Sequence, residues 1–268
     1  MKTLISISAL FLSLSLTAQT ANWYYNPTSG NGIQTNFSNS ASGSISIAMG
    51  LGTRASGQYS TAMGVETTAS GERSTAMGYS TAASGDYSTA VGLATKASDK
   101  SSLVVGQYNL LGSTVTNSAT QFSTENTAFV IGNGTANDSR SDALTVLFDG
   151  TTTIAGDLSI NSDARLKANI ISLGSTLAKL LQIDGKTYTM KKDANHKKKI
   201  GLLAQDIEKV FPELVTETND IKSVNYQGLV PVLINALKEQ DSKMKEQDNK
   251  MNEQEARIER LEKLLLDS

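Results

Sequence analysis

A repeat of fourteen residues runs through the first half of the chain and limits what it can fold into. One glycine series carries this period: Gly50, Gly64, Gly78, Gly92 and Gly106. A second series keeps the same spacing until Asp99 interrupts it: Gly43, Gly57, Gly71 and Gly85. A flexible Ser/Gly linker needs no fixed phase, and a collagen helix needs glycine at every third position. The repeat therefore favours the stacked rungs of a β-solenoid.

Each repeat unit contains two short extended pieces, and each piece is closed by a glycine that permits a tight corner. A small apolar residue stands two positions before the first glycine: Ala48, Ala62, Ala76, Ala90 and Val104. We predict that this residue and the Met or Val after it point into the solenoid. Such a rung buries little apolar area, and only 39% of the chain is hydrophobic. We therefore expect the rungs to need three chains packed together to close their core.

The units also share the motif Ser-x-Ala-x-Gly, which begins at regular positions: Ser46, Ser60, Ser74, Ser88 and Ser102. Over residues 41–109 this pattern resembles the head repeats of trimeric autotransporter adhesins of the YadA type. The resemblance implies a trimeric, left-handed parallel β-roll. It leaves open whether the head binds a surface ligand, and which one.

The segment before the repeats has the layout of a secretory signal peptide over residues 1–18, with Lys2, an apolar run and Ala18. The apolar run is shorter than the ~20 residues of a membrane span. We therefore expect an exported protein, secreted or at the cell surface, with no membrane span after signal removal. Residues 19–40 form either an N-terminal cap or a disordered leader.

Charge and cysteine content narrow the partners further. The net charge of −2 argues against a nucleic-acid partner. The chain contains no cysteine, so its stability must come from packing and from partner chains rather than from disulfides.

After the repeats, residues 110–161 lose the period and alternate turn residues with short β-rich runs. The predicted strands are 128–131, 144–148 and 152–154. We interpret this stretch as a β-rich neck.

The composition changes beside Ser162. Of the 21 glycines, 17 lie between residues 19 and 161, whereas 35 charged residues lie from Ser162 onward. This change places a domain boundary there, with an α+β module over residues 162–228. The apolar pattern predicts a helix from Asn169 and then further elements: strands at 186–192, 200–203 and 223–226, and a helix at 205–211 that ends before Pro212.

Residues 229–268 predict one long helix with a heptad repeat. The a positions are Val230, Leu237, Met244, Met251, Ile258 and Leu265, and the d positions are Leu233, Gln240, Gln247, Gln254 and Leu261. Cations at g face carboxylates at e′ of a neighbouring helix only when the chains run parallel: Lys243, Lys250 and Arg257 with Asp248, Glu255 and Glu262. A single solvated helix would not show this pattern, so we predict a parallel coiled coil weakened by its glutamine layers.

Three segments of this half resemble the peptidase S74 family, the intramolecular chaperone domain at the C terminus of phage tail spikes and endosialidases. The matching segments are 162–167, 201–215 and 224–239, and the resemblance covers residues 162 to about 260. It implies a trimer that templates folding of the fibre upstream. It also implies release by one autoproteolytic cut, on one side or the other of Ser162.

Ser162 and Lys167 match the serine–lysine dyad of that family. A serine hydroxyl needs a nearby base to act as a nucleophile. The lone histidine, His196, lies in a run of lysines and is interpreted as a solvated turn residue. Lys167 can accept a proton only when neutral, a form favoured by burial at a subunit contact or by the Arg165 cation. Asp163 and Arg165 are expected to hold the turn by a salt bridge or an N-cap, and no motif indicates a cofactor or a metal.

The sequence therefore predicts a mainly β N-terminal part and an α+β module that ends in a parallel trimeric coiled coil. The predicted function is that of a secreted homotrimeric surface or tail-fibre-like protein. Its C-terminal module would drive trimerisation and then cut the chain once, in cis, at Ser162. The main alternative is an adhesive fibre whose module trimerises but does not cut. A conventional secreted hydrolase is disfavoured because the sequence lacks a pocket motif.

Overall fold

A computed structural model describes residues 24–26, 32–34, 38–191 and 196–266. The chain divides into two units, residues 1–161 and 162–268. The predicted signal peptide and most of the predicted cap or leader lie outside the described residues. The mainly β first part and the α+β second part are confirmed.

The first unit is a β-solenoid of about five turns, in which each turn contributes one long and one short strand. The long strands are β4 (Ile47–Leu51), β6 (Thr61–Val65), β8 (Thr75–Tyr79), β10 (Thr89–Leu93) and β12 (Leu103–Gln107). The short strands are β3 (Ser40–Ala41), β5 (Arg54–Ala55), β7 (Thr68–Ala69), β9 (Ala82–Ala83) and β11 (Lys96–Ala97). Strands of one kind pair in parallel, one repeat apart, so the solenoid has two facing sheets.

The solenoid core is a double column of alanines. Ala62 pairs in register with Ala76 on the long strands, Ala55 with Ala69 on the short strands, and these side chains are fully buried within a single chain. The expectation that a rung needs partner chains to close this core is therefore wrong. The expectation that the following Met points inward is also wrong. Successive strand residues face opposite sides, and Met77 is 39% exposed.

The close stacking of the rungs explains why the glycine period is strict. A Cβ at Gly78 would overlap the carbonyl oxygen of Gly92 in the next rung, and Gly78 also has a φ of +129°. A Cβ at Gly57 would overlap the carbonyl oxygen of Gly71 in the same way. A side chain therefore fits at neither position while another rung follows.

Strands outside the repeat extend the long-strand sheet at both ends. At its start, β1 (Tyr24–Asn26) forms a hairpin with β2 (Gly32–Gln34), and β2 pairs in parallel with β4. At its far end lie β13 (Thr127–Asn133), β14 (Asp142–Leu147) and β15 (Thr152–Ile154). The strands predicted in the neck are thus present. The first of them, β13, pairs in parallel with β12 and continues the stack, which the sequence analysis did not predict.

Polar side chains close the open edges of the short-strand sheet. Asn109 receives a hydrogen bond from the Lys96 amide (2.7 Å) and donates one to the Lys96 carbonyl (3.0 Å). Asp99 is buried at the position where earlier repeats have glycine, and its carboxylate accepts bonds from the amides of Ser113 (2.9 Å) and Thr127 (2.9 Å). Because no further rung of the repeat stacks on Asp99, there is room for a side chain at this position. Its carboxylate accepts hydrogen bonds at the sheet edge where no further short strand follows.

The described residues of the second unit form two hairpins, two short α-helices and one long α-helix, together with short 3₁₀ turns. Its hairpins are β16 (Lys186–Tyr188) with β17 (Lys199–Gly201), and β18 (Val215–Thr218) with β19 (Ile221–Val224). Its helices are α1 (Leu177–Leu180), α2 (Ala204–Val210) and α3 (Leu229–Leu266). Its small core consists of Ile207, Val210 and Phe211 from around α2 and Val232 from α3.

The helix predicted from Asn169 is wrong over most of its length. The chain is irregular up to Thr176, and only the four residues of α1 are helical. Asn169 and Gly174 both have positive φ angles, which a right-handed helix excludes. The apolar spacing that suggested a helix is carried by exposed side chains, including Ile171 at 87% exposure.

The long helix α3 has 38 residues and carries the predicted heptads. Every apolar a and d residue from Val230 to Leu265 is exposed in a single chain. None of the described helices combines the length and the apolar character of a membrane span.

Candidate functional site

The candidate site begins at the first residues of the second unit, where the chain makes a short turn. Ser162 lies in an irregular exposed stretch, and a 3₁₀ turn follows at Ala164–Leu166. Asp163 is the N-cap of this turn because its Oδ1 accepts a hydrogen bond from the Arg165 amide (2.9 Å). The turn reverses the chain direction enough to bring residue 167 back toward residue 162.

This turn brings the two predicted catalytic side chains into direct contact. Lys167 Nζ lies 2.7 Å from Ser162 Oγ, where the ammonium donates a hydrogen bond to the hydroxyl oxygen. A spacing of five residues would not allow this contact on a regular helix, whose neighbouring side chains are three or four residues apart. The irregular backbone around the 3₁₀ turn is therefore what makes the pair possible.

Arg165 and Asp163 form a second pair on the same turn. The carboxylate accepts bonds from Arg165 Nε (3.1 Å) and Nη2 (2.6 Å). Hydrogen bonds from the Arg165 side chain, and then from its amide, hold the pKa of Asp163 below its ordinary value. The same side-chain bond raises the pKa of Arg165. Both the N-cap and the salt bridge are present, so the charge of Arg165 is directed to Asp163.

The serine–lysine arrangement is chemically a nucleophile next to a base. Once Lys167 loses its proton, its nitrogen can accept the hydroxyl proton across the same 2.7 Å contact. Both residues are exposed in a single chain, so water reaches the pair freely. Neutral lysine is favoured in a dry environment, and a single chain does not surround the pair with one.

His196 lies apart from the dyad turn in sequence and is an exposed residue with a φ of 48° just before β17. Within the described residues, no group of His, Cys, Asp and Glu side chains could hold a metal ion.

The downstream segments 201–215 and 224–239 build the hydrophobic core rather than the dyad. Ile207 is fully buried in α2, and the hydroxyl of Tyr226 accepts a hydrogen bond from the Leu202 amide (2.9 Å). Asn225 caps the turn before α3 by accepting a bond from the Gly228 amide (3.1 Å). These residues hold α2 and the hairpins against the start of α3.

The sequence analysis assigned no role to Glu239, a residue of α3 that contacts the chain after the dyad. Its carboxylate accepts hydrogen bonds from Ser175 Oγ (2.7 Å), from the Thr176 amide and from the Leu177 amide (3.2 Å). A polar residue inside a charged helix gives no local pattern that distinguishes it from its solvated neighbours.

Comparison with known proteins supports both resemblances drawn from the sequence. The peptidase S74 model, described as "Chaperone of endosialidase", matches residues 162–216. The YadA head domain repeat matches twice, over residues 55–81 and 83–109. The chain thus combines YadA-type head repeats with an S74-type segment, in the predicted order, and both resemblances are confirmed.

Phage tail fibres are among the similar curated proteins. The chain is 35% identical over 83 residues to "Long tail fiber protein Gp37" of Salmonella phage S16, which covers 27% of this chain and 11% of the relative. It is 30% identical over 100 residues to the protein of the same name from Escherichia phage AR1, which covers 34% of this chain and 9% of the relative. The similarity thus spans about a tenth of each relative's length.

Proposed function

We propose that this chain is a homotrimeric extracellular fibre protein whose C-terminal unit assembles the trimer and then cuts itself free at Ser162. The contact between Lys167 Nζ and Ser162 Oγ, inside the segment that matches the S74 model, is the observation that carries the proposal. The head-repeat match and the tail-fibre similarity support the fibre architecture. The signal-peptide pattern of residues 1–18 supports export.

Self-association is supported by the long helix α3. A helix with an apolar stripe exposed along its whole length is stable in water when partner helices cover that stripe. The charges at g and e′ favour parallel partners, and both matched families support three chains. Water is excluded where chains contact one another in such an assembly, and a contact that covers Lys167 would provide the dry environment that its neutral form needs.

The proposed cut is a serine acyl transfer in cis. Neutral Lys167 takes the hydroxyl proton, and Ser162 Oγ attacks the carbonyl carbon of the bond that is cut. For Asn161–Ser162 this is the Asn161 carbonyl, which Oγ reaches through a five-membered ring. For Ser162–Asp163 it would be the serine's own carbonyl, which would close a strained four-membered lactone, so the chemistry favours Asn161–Ser162. The carbon–nitrogen bond breaks as the leaving amine receives that proton, which leaves an ester on Ser162 Oγ. Water then hydrolyses the ester, giving a carboxylate and restoring the hydroxyl. The cut would occur once and needs no other substrate.

The test is to express the full chain and four variants, and to record fragment masses together with oligomer size. The parent is expected to give a head fragment and a module of roughly a hundred residues, at a rate independent of protein concentration once assembled. Ser162→Ala removes the nucleophile and Lys167→Ala removes the base, so both should remain full-length trimers. Lys167→Arg should also remain full-length, because guanidinium keeps its proton and cannot accept one from serine. His196→Ala is the matched control and should cut normally.

Two results would contradict the proposal. Cleavage that persists in Ser162→Ala would remove the assigned nucleophile. A parent trimer that stays intact near neutral pH would favour the alternative, a fibre whose module trimerises without cutting, which the exposure of the dyad in a single chain also fits.

A further inference from the structure

The segment that carries the dyad is free along its length and is anchored to α3 at its far end. Residues 162–174 are exposed and contain no regular element except the 3₁₀ turn. At the far end, the Gly174 carbonyl accepts a bond from Asn235 Nδ2 (3.3 Å), and the buried Thr176 donates its hydroxyl to the Val232 carbonyl (2.9 Å).

Glu239 contributes most to this anchor. Its Oε2 accepts from Ser175 Oγ (2.7 Å), and its Oε1 accepts from the amides of Thr176 and Leu177. These three donors belong to consecutive residues, so one carboxylate holds the backbone as well as a side chain. The bonds from Ser175 and then Thr176 hold the pKa of Glu239 below its ordinary value, which shows that they favour the ionised form.

The chain length between anchor and dyad limits where the dyad can go. Gly174 lies seven positions after Lys167, and an extended chain of this length spans at most about 25 Å. Packed helices lie about 8–10 Å apart. The anchor therefore keeps Ser162 and Lys167 within reach of α3 and of helices packed against it, where water can be excluded. Without the anchor, the free segment would lengthen and the dyad would sample open solvent.

We infer that Glu239 is a positioning residue for the cut, because it ties the dyad segment to the helix whose assembly prepares the site. This inference rests on the proposed function. Glu239 does not touch the reacting atoms, and its effect acts through the path from Ser175 back to Lys167.

The experiment compares the full chain with Glu239→Gln, Glu239→Asp and Glu246→Gln. Glu246 is a matched control on the same helix, where it pairs with Lys250 one turn away (2.6 Å). Three quantities are measured: oligomer size, the cleavage rate of assembled protein, and amide hydrogen exchange at residues 176 and 177. Exchange is measured in the Ser162→Ala background so that every chain stays intact.

Glu239→Gln is expected to remain trimeric, to exchange faster at residues 176 and 177, and to cut at least about tenfold more slowly, the loss expected from small misplacements of reacting groups. Glu239→Asp keeps the carboxylate and should recover part of the rate. Glu246→Gln should match the parent in all three measurements. A purely structural role would lower stability and assembly together, without a rate loss in intact trimers.

A Glu239→Gln trimer that cuts at the parent rate would overturn the positioning role while leaving the proposed function intact. Unchanged exchange at residues 176 and 177 would show that Glu239 does not hold this part of the chain, and would also overturn the positioning role. If Glu239→Gln does not assemble, Ser175→Ala removes one anchoring bond while leaving the carboxylate, and it should show a smaller rate loss in the trimer. A parent chain that never cuts would overturn both the proposed function and the positioning role.

Discussion

The two units of this protein bury their apolar residues in opposite ways. In the solenoid, the alanine columns are fully covered within one chain, although each alanine supplies little apolar area. In the second unit, larger residues such as Ile258 and Leu261 are exposed along α3, and the buried core is small. Side-chain size therefore does not decide which unit covers its apolar residues within a single chain. Backbone stacking makes the solenoid core complete, whereas the second unit leaves the apolar residues of α3 exposed in a single chain.

The largest effect is expected on the association of chains through α3, as proposed above. The double substitution Ile258→Asp with Leu261→Asp places carboxylates in two successive layers, one a and one d, of the seam between helices of the predicted coiled coil. Each buried Ile or Leu contributes about 1.5–3 kcal/mol per chain, so association of the full chain should be lost. Sedimentation should then show monomers.

Ala256→Asp is the control for this substitution, because position 256 lies on the opposite face of the heptad. It should remain associated. If the seam variant stays trimeric, α3 is not the principal contact between chains, and the contrast between the two units fails.

The next effect concerns the backbone stacking of the solenoid. Gly78→Ala forces a Cβ onto the carbonyl of Gly92 at a strained φ. We expect a loss of at least about 3 kcal/mol, seen as a lower unfolding temperature of the solenoid. Gly156→Ala should change little because no atom lies within 4 Å of its added Cβ. Equal behaviour of the two variants would show that the rungs are not closely stacked.

A smaller effect is expected at the edge cap, the side chains of Asp99 and Asn109 that close the edge of the short-strand sheet after β11. Asp99→Asn replaces a carboxylate that accepts bonds from Ser113 and Thr127, which should cost about 1–3 kcal/mol, whereas exposed Asp138→Asn should cost almost nothing. Burial alone would raise the pKa of Asp99, but the bonds from Thr127 and Ser113 outweigh burial and hold this pKa below its ordinary value.

The pH dependence of the cap follows from the direction of that shift. Because the folded state binds the proton of Asp99 less readily than the unfolded state, the carboxylate stabilises the solenoid above its ordinary pKa. This contribution declines once the pH falls to the ordinary value of 3.8, and it is lost as the pH falls through the lower pKa of the folded state. The Asp99→Asn variant should show a weaker acid dependence of its unfolding temperature. An unchanged dependence would show that Asp99 is not part of the cap.

The smallest effect tests the interior of the solenoid. The hydroxyl of Thr81 is buried and has no hydrogen-bond partner among the described residues. Thr81→Val keeps the shape and removes this hydroxyl, so the solenoid should gain up to about 1 kcal/mol. Thr127→Val should have the opposite sign because its hydroxyl donates to Asp99 (2.6 Å). Destabilisation by Thr81→Val would indicate an internal water bonded to the threonine.

Much of the architecture could be read from local patterns. The glycine period predicts the rungs because each glycine stacks on the glycine of the next unit, so one constraint repeats at fixed spacing. The heptads predict the long helix α3 because apolar residues that recur at the a and d positions lie along one face of a helix. Residues 162–167 also predicted the turn roles of Asp163 and Arg165, since an N-cap and its partner lie within three positions.

Contacts between distant residues were decided only by the tertiary structure. Val130 joins the stack beside Val104 although the chain between them breaks the period, because Asp99 and Asn109 satisfy the open edge in place of a strand. Ile171 keeps a helical spacing yet lies in an irregular exposed stretch, because Asn169 and Gly174 on either side have positive φ angles. Just after this stretch, Glu239 holds residues 175–177. A side chain that accepts a hydrogen bond in place of a neighbouring strand produces no repeating pattern in the sequence. Such contacts can therefore be identified only in the folded chain.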